Sequence, residues 1–198
     1  IQSALNIHLL KNNISVSEFS DNFNDSIVNI RKVLGNELHH ELKELDDSFI
    51  PSKHLEVLKK VKELKKNNEK VVIWGVYIDS IKRLDKLLKS EGLNGNIIIG
   101  ETKKGKVEND EEYTLKNDLT RSKIIKKFKS FQNDSYDYII TNPIVLGESI
   151  SLHKYCHNSI YFELSYAAAP YVQSRDRIHR VWMENGKQVE YKTNYFHI

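Results

Sequence analysis

Residues 70–77 read KVVIWGVY, a short run of β-branched and aromatic side chains that predicts a buried β-strand. In the residues before this run, apolar side chains recur every three or four positions with lysines between them. This spacing predicts an amphipathic helix over 53–66. Its expected buried stripe consists of Leu55, Leu58, Val61 and Leu64. A helix that leads directly into a buried strand is the beginning of an α/β arrangement.

The alternation of helices and strands continues towards the C-terminus. The expected elements are a helix capped by Ser80, a strand over 96–99, a basic helix over 118–131, strands over 136–140 and 159–162, a helix over 171–180 and a strand over 188–195. In the basic helix the expected buried residues are Ile124, Ile125, Phe128 and Phe131. Such alternation predicts an α/β fold whose mostly parallel sheet is covered on both faces. Ligands of such sheets bind beyond the carboxyl ends of the strands.

The charge is distributed unevenly along the chain. Residues 1–50 are Asn-rich and contain four Lys/Arg against eight Asp/Glu, whereas residues 51–198 contain 26 against 19. We therefore predict a helical linker or insertion over 1–50 and one domain over 51–198. The basic domain suits a polyanion such as nucleic acid, although a lysine-rich solvated surface would give the same balance.

The composition excludes several classes of protein. The chain has 198 residues, a net charge of +3 and a single cysteine, Cys156, which excludes a disulfide framework and a multi-cysteine zinc site. No apolar run approaches the roughly 20 residues of a membrane span, so we predict no membrane partner and a cytoplasmic location. Because the sequence opens at Ile1 and not at methionine, we expect a piece of a longer chain or a processed start.

The histidines invite a metal-binding interpretation. His153 and His157 are four apart with Cys156 between them, a spacing that on a helix could chelate zinc. The segment has the character of a loop and offers no fourth ligand, so we predict no metal site. Cys156 would need a positioned base to act as a nucleophile, and a packed small side chain is the favoured interpretation.

Residues 100–106 read GETKKGK and match the phosphate-loop pattern G-x-x-x-x-G-K directly after a predicted strand. The next residue is Val107, which lacks the hydroxyl that such a loop supplies to magnesium. Four acidic side chains follow within five positions and would repel a triphosphate. These residues favour a solvated charged loop.

Residues 173–180, QSRDRIHR, carry the most specific chemistry; we call them the arginine segment. Helical spacing would place Arg177 beside Arg180, with Gln173 one turn earlier. One interpretation is a surface helix with charge pairs. The other is a clamp for phosphate, because guanidinium groups present forked donors to a transferred phosphoryl group.

The arginine segment resembles motif VI of superfamily-two helicases, in the form Q-x-x-D-R-x-H-R of Swi/Snf-like DNA-dependent ATPases and their bacterial relatives. Residues 52–58 (SKHLEVL) resemble the opening helix of the second RecA-like lobe in that family. Residues 70–77 resemble motif IV, and residues 146–152 (LGESISL) resemble motif V. The resemblance covers residues 50–198 and implies a three-layer RecA-like lobe.

By this resemblance, Arg177 and Arg180 are the arginine fingers that reach the γ-phosphate of ATP, with Gln173 beside them. The resemblance assigns Gly147, Glu148 and Asp176 to the ATP interface, and Gly100, Glu101, Thr102, Ser149 and Ser151 to the nucleic-acid side. The family often has aspartate where this chain has Glu163.

The resemblance implies two partners, the N-terminal RecA-like lobe of the same protein and DNA, in double-stranded form. ATP and Mg²⁺ would be bound mainly by that other lobe, because this sequence contains no credible Walker A lysine. The chain alone would therefore bind no nucleotide and be inactive. Two alternatives stay open: a non-catalytic nucleic-acid or protein-binding α/β module, and a small phosphotransferase that uses residues 100–106.

Overall fold

The computed structural model describes residues 49–100, 102, 120–146, 150–165 and 168–198. The chain divides into two units at the junction of Ser52 and Lys53, and the architecture below is that of the second unit. The helices predicted within residues 1–48 lie outside the described residues, as do Glu101 and residues 103–106 of the phosphate-loop pattern. None of the helices in the described part of the chain has the length and apolar surface needed to span a bilayer.

The elements follow the predicted alternation. In chain order they are α1 (Ser52–Lys66), β1 (Val71–Trp74), α2 (Ile78–Ser90), β2 (Gly95–Ile98), α3 (Arg121–Phe128), β3 (Tyr138–Thr141), α4 (Pro143–Leu146), β4 (Asn158–Tyr161), α5 (Ala168–Arg175), β5 (Trp182–Glu184), β6 (Lys187–Val189) and β7 (Asn194–His197).

Five strands form one parallel sheet in the order β2-β3-β1-β4-β7. In register, Val71 of β1 lies opposite Tyr138 of β3 on one side and Asn158 of β4 on the other. All four residues of β1 are buried, which its continuous apolar run predicts for a sheet covered on both faces. The α/β class with a parallel sheet is therefore confirmed.

The two faces of the sheet carry different layers, because successive strand side chains point to opposite sides. Val71 and Ile73 of β1 pack in a cluster with the buried stripes of α1 and α2. Val72 and Trp74 pack on the other face with α3, the segment 150–157 and Ile178. The arginine segment is thereby anchored in the second layer through its isoleucine.

Three residues differ in burial or role from the sequence prediction. Leu55 is 47% exposed, because the buried stripe of α1 runs through Val57, Leu58, Val61 and Leu64, with His54 beside it. Phe131 is 75% exposed, because α3 ends at Phe128 and the helical period stops there. Ser80 is buried inside α2 and is not its cap; the N-cap is Tyr77, in extended conformation.

The strand predicted over 188–195 is wrong as a single element. Lys187–Val189 pairs antiparallel with Trp182–Glu184, and the turn between them has positive φ at Asn185 and Gly186. Asn-Gly with two positive φ angles is the preferred turn of a two-residue hairpin. The chain then leaves the hairpin, and Asn194–His197 joins the main sheet beside β4.

Candidate functional site

Three loops meet where β1, β3 and β4 end. One carboxylate oxygen of Glu163, Oε2, accepts hydrogen bonds from the backbone N–H groups of Val76 (2.8 Å) and Tyr77 (2.9 Å). Asn142 Nδ2 donates to the carbonyl of Val76 at 3.1 Å. The backbone N–H of Glu163 in turn donates to the carbonyl of Trp74 at 3.1 Å. The loop that follows β1 is therefore held by side chains from the ends of β3 and β4.

The Glu163 carboxylate also accounts for the start of α2. Tyr77 makes no side-chain cap bond, and its N–H is taken by a carboxylate 86 residues further along the chain. A carboxylate at a helix N-terminus is favourable, because the helix presents unpaired N–H groups and a positive dipole end there. The sequence signal for this role was the position of Glu163 at the end of a predicted strand.

A half-buried lysine lies near this carboxylate. The ammonium of Lys53 is 5.2 Å from the ring centroid of Phe162, the residue before Glu163. Burial lowers the pKa of Lys53, and the negative charge of Glu163 opposes that shift. Opposite charges from α1 and β4 thus lie close together at this edge of the sheet.

The arginine segment starts in α5 but is not helical to its end. The helix predicted over 171–180 ends at Arg175. Beyond it, the N–H groups of Arg177 and Ile178 bond back three residues, to Ser174 and Arg175, and those of Asp176 and His179 bond back four. The regular helical spacing on which the pairing of Arg177 with Arg180 was based therefore does not continue to Arg180, and their proximity stays a prediction. Arg177 lies in the turn that follows α5, and Arg180 in irregular backbone.

Two buried residues and one backbone bond fix the arginine segment to the second layer. Ser174 is fully buried; its hydroxyl bonds to the carbonyl of Tyr171 (2.6 Å) and to the hydroxyl of Tyr161 (2.8 Å), the last residue of β4. Ile178 is 1% exposed. The carbonyl of Arg177 accepts from the N–H of Leu152 at 2.8 Å, which links this segment to the end of the motif V-like stretch.

The predicted catalytic side chains differ in exposure. Gln173 and Asp176 are exposed, Arg177 is half-buried, and Arg180 is exposed with its Nε donating to the carbonyl of Asp176 at 3.2 Å. One donor of the Arg180 guanidinium is therefore bonded to the backbone of its own segment. The structure brings these four side chains into one segment, whereas the predicted interface residues Gly147 and Glu148 lie outside the described residues.

Three of the five residues predicted on the nucleic-acid side, Gly100, Thr102 and Ser151, are described. Thr102 closes a turn after β2, since its N–H donates to the carbonyl of Ile99 and its hydroxyl accepts from the Ile99 N–H, each at 3.0 Å. Ser151 precedes Leu152, whose side chain is buried in the second layer. A Cβ on Gly100 would meet no atom within 4 Å, so packing does not require glycine there. Glu101 and Ser149 lie outside the described residues.

Cys156 is a packed thiol. It is fully buried, and its Sγ lies 3.3 Å from the carbonyl oxygens of Lys70 and Asn158. Burial raises the pKa of Cys156 to about 12, so the thiolate needed for nucleophilic attack does not form near neutral pH. Within the described residues no three His, Cys, Asp or Glu side chains converge as metal ligands.

An aromatic cluster that the sequence did not predict surrounds the hairpin. Trp182 packs against His153, with ring centroids 4.7 Å apart, and against Tyr191 at 5.2 Å. His157 contacts the other side of this cluster, 4.6 Å from Tyr191. Burial lowers the pKa of both histidines, so both are neutral near pH 7.

No protein-family model and no curated protein matches the chain. Among solved structures, the chain is similar to the crystal structure of the C-terminal part of the Fun30 ATPase domain, with a TM-score of 0.56 and 18% identity. The match covers 97% of this chain and 60% of that one, so the chain spans less than two thirds of that structure. The likeness shows the fold, an α/β RecA-like lobe, as the sequence predicted.

Proposed function

We propose that this chain is the C-terminal RecA-like lobe of an ATP-dependent DNA translocase or helicase of the Swi/Snf-like branch, from a bacterial relative that works in the cytoplasm. The observation that carries the proposal is the anchoring of the arginine segment. Ser174 and Ile178 are buried against the sheet. Arg180, which lies between Ile178 and the hairpin in sequence, has an exposed side chain. A fixed backbone that presents exposed guanidinium donors is what a phosphate clamp requires.

In this proposal, Arg177 and Arg180 approach the γ-phosphate of ATP when the two lobes close. Forked guanidinium donors neutralise the charge that develops on the transferred phosphoryl group. ATP and Mg²⁺ are held mainly by the N-terminal lobe of the same protein. Gln173 and Asp176 line the same interface as Gly147 and Glu148, and Gly100, Glu101, Thr102, Ser149 and Ser151 lie towards duplex DNA.

The network around Glu163 supports this role, because an arginine finger has to be placed accurately to stabilise a transition state. The carboxylate joins the end of β4 to the loop after β1, and Tyr161 at the same end of β4 bonds to Ser174. Two sets of hydrogen bonds near the end of β4 thus hold the loop after β1 and the beginning of the arginine segment.

The test is ATP hydrolysis by the full-length native protein with and without double-stranded DNA. We expect Arg180→Ala to lower the DNA-stimulated kcat by about 10³-fold or more, as for other arginine fingers. Arg180→Lys keeps the charge but loses the forked donors, so its DNA-stimulated kcat should also be well below that of the wild type. Lys59→Ala, which removes an exposed charge from α1 on the other face of the sheet, is the matched control.

DNA affinity, measured in parallel, separates this function from the alternative. A finger variant should lose turnover and keep its DNA dissociation constant within about threefold, because the arginine acts on nucleotide. Turnover that is unchanged in Arg180→Ala would remove the arginine segment from the chemistry. If affinity and its salt dependence fell without any loss of turnover, a non-catalytic nucleic-acid-binding module would replace the proposal.

A further inference from the structure

Lysines and aromatic rings alternate along a surface that the arginine chemistry does not use. Phe131 follows α3 and is 75% exposed, with its ring 5.8 Å from that of Tyr155. The ammonium of Lys129 lies 5.7 Å from the Tyr155 ring, and that of Lys154 lies 5.9 Å from the Trp182 ring. We call Lys129, Phe131, Lys154, Tyr155 and Trp182 the basic aromatic strip.

The strip carries two lysines, Lys129 and Lys154, whose ammonium groups lie near aromatic rings. Neither Lys129 nor Lys154 forms an ion pair with any carboxylate in the described part of the chain. His153, which packs on Trp182, lies in the field of Arg180, Lys154 and Lys129, and that positive field contributes to its lowered pKa after burial. Partial burial lowers the pKa of Lys129. A surface of this kind attracts an anionic partner.

The large exposed ring indicates which polyanion fits. The ring of Phe131 is three-quarters exposed and therefore presents an accessible face on which a planar group can stack. Unpaired bases stack on aromatic side chains while lysines contact the adjoining phosphates, and this combination binds single strands regardless of sequence. Duplex DNA keeps its bases stacked inside and offers only phosphates to such a surface.

We propose that the basic aromatic strip is a binding site for single-stranded nucleic acid, with a base stacked on Phe131 and phosphates on Lys129 and Lys154. The strip shares no residue with the set predicted to face duplex DNA. Binding of a single strand to this strip does not require ATP hydrolysis. The binding experiment can therefore contradict this proposal without contradicting the proposed function, and the turnover experiment can do the reverse.

The experiment measures binding of a fluorescent 20-nucleotide oligo(dT) to the full-length protein by anisotropy over a range of salt, without nucleotide. Each phosphate contact contributes about 0.7 to the slope of log K against log salt for single strands. Lys129→Ala with Lys154→Ala should therefore reduce the slope by about 1.4. Lys59→Ala with Lys66→Ala, two exposed lysines of α1, removes the same charge elsewhere and should leave the slope unchanged.

The stacking contact is tested at Phe131, whose exposed side chain can be changed with little effect on the fold. Phe131→Ala should weaken oligo(dT) binding roughly 5- to 100-fold, the range measured for base stacking on aromatic residues, and Phe131→Trp should restore it. Binding of a duplex of equal length should be unaffected by Phe131→Ala. Melting temperatures within a few degrees of wild type confirm that the variants are folded.

Three results would overturn the proposal. The first is oligo(dT) binding that neither the lysine pair nor Phe131→Ala alters. The second is an equal loss of duplex and single-strand affinity in Phe131→Ala. The third is displacement of oligo(dT) by polyglutamate at equal charge, which would assign the strip to an acidic polypeptide.

Discussion

Replacing Glu163 by alanine removes the acceptor that holds the loop after β1. Two backbone N–H groups, from Val76 and Tyr77, lose their partner at once, since both donate to the same carboxylate oxygen. The loop is half-buried, so water can satisfy these donors only in part. Lys53 also loses its nearby negative charge.

The magnitude follows from those two bonds. A hydrogen bond to a charged group contributes ~1.5–3 kcal/mol, and partial access of water favours the lower end. We expect Glu163→Ala to lower the free energy of unfolding by about 2–3 kcal/mol, or roughly 5–10 °C in Tm for a domain of this size. Glu163→Gln keeps an oxygen acceptor and loses only the charge, so we expect it to lower the free energy of unfolding by about 1 kcal/mol.

The assay is urea unfolding followed by tryptophan fluorescence. The chain has two tryptophans, Trp74 and Trp182, both within 53–198, so the signal reports on the lobe alone. Glu91→Ala is the matched control, because its carboxylate pairs with Lys62 on the exposed surface and should contribute under ~1 kcal/mol. A loss for Glu163→Ala no larger than that for Glu91→Ala would refute the reasoning.

Two further predictions concern packing and pH. Gly95→Ala should lower the free energy of unfolding by about 1–3 kcal/mol, because its Cβ would overlap the ring of Tyr138. Gly100→Ala is the control and should be near neutral, because its Cβ would meet no atom within 4 Å. Equal urea midpoints for the two variants would contradict this. The pKa values of His153 and His157 are lowered in the folded chain, so the unfolded chain takes up protons first as the pH falls. The stability of the fold is therefore fully present above about pH 6.5 and declines as the pH falls from 6.5 towards the folded pKa values. Thermal melts between pH 7.5 and 5 should show a smaller decline in His153→Gln with His157→Gln than in wild type, and parallel declines would exclude the two histidines as its source.

Four of the five strands of the main sheet, β1 to β4, were predicted within a few residues, because their signals are local. The apolar run of β1 and the periodic lysines and leucines of α1 and α2 are properties of adjacent residues. The same local logic failed at Phe131, where the helical spacing continues in the sequence but the helix does not. The hairpin had a signal that was overlooked, since Asn185-Gly186 is the preferred two-residue turn.

The arginine segment shows the same division within eight residues. Its motif was visible in the sequence, but the end of α5 at Arg175 was not. The N–H of Leu152 donates a hydrogen bond to the carbonyl of Arg177, and Ile178 is buried on the sheet, so the chain turns away from the helix at this point. Partners more than twenty residues away in sequence therefore decide how the two arginines are presented.

By itself, the sequence determined the α/β alternation, the burial of β1 and the presence of a motif with paired arginines, because each depends on neighbouring residues. Only the tertiary structure decided the strand order, the division of residues 188–195 between two sheets, and the bond from Glu163 to the N–H groups of Val76 and Tyr77. These features join residues that lie far apart in the chain, 87 positions in the case of Val76. The free energy of such contacts depends on which surfaces meet when the layers pack, and no local periodicity encodes that choice.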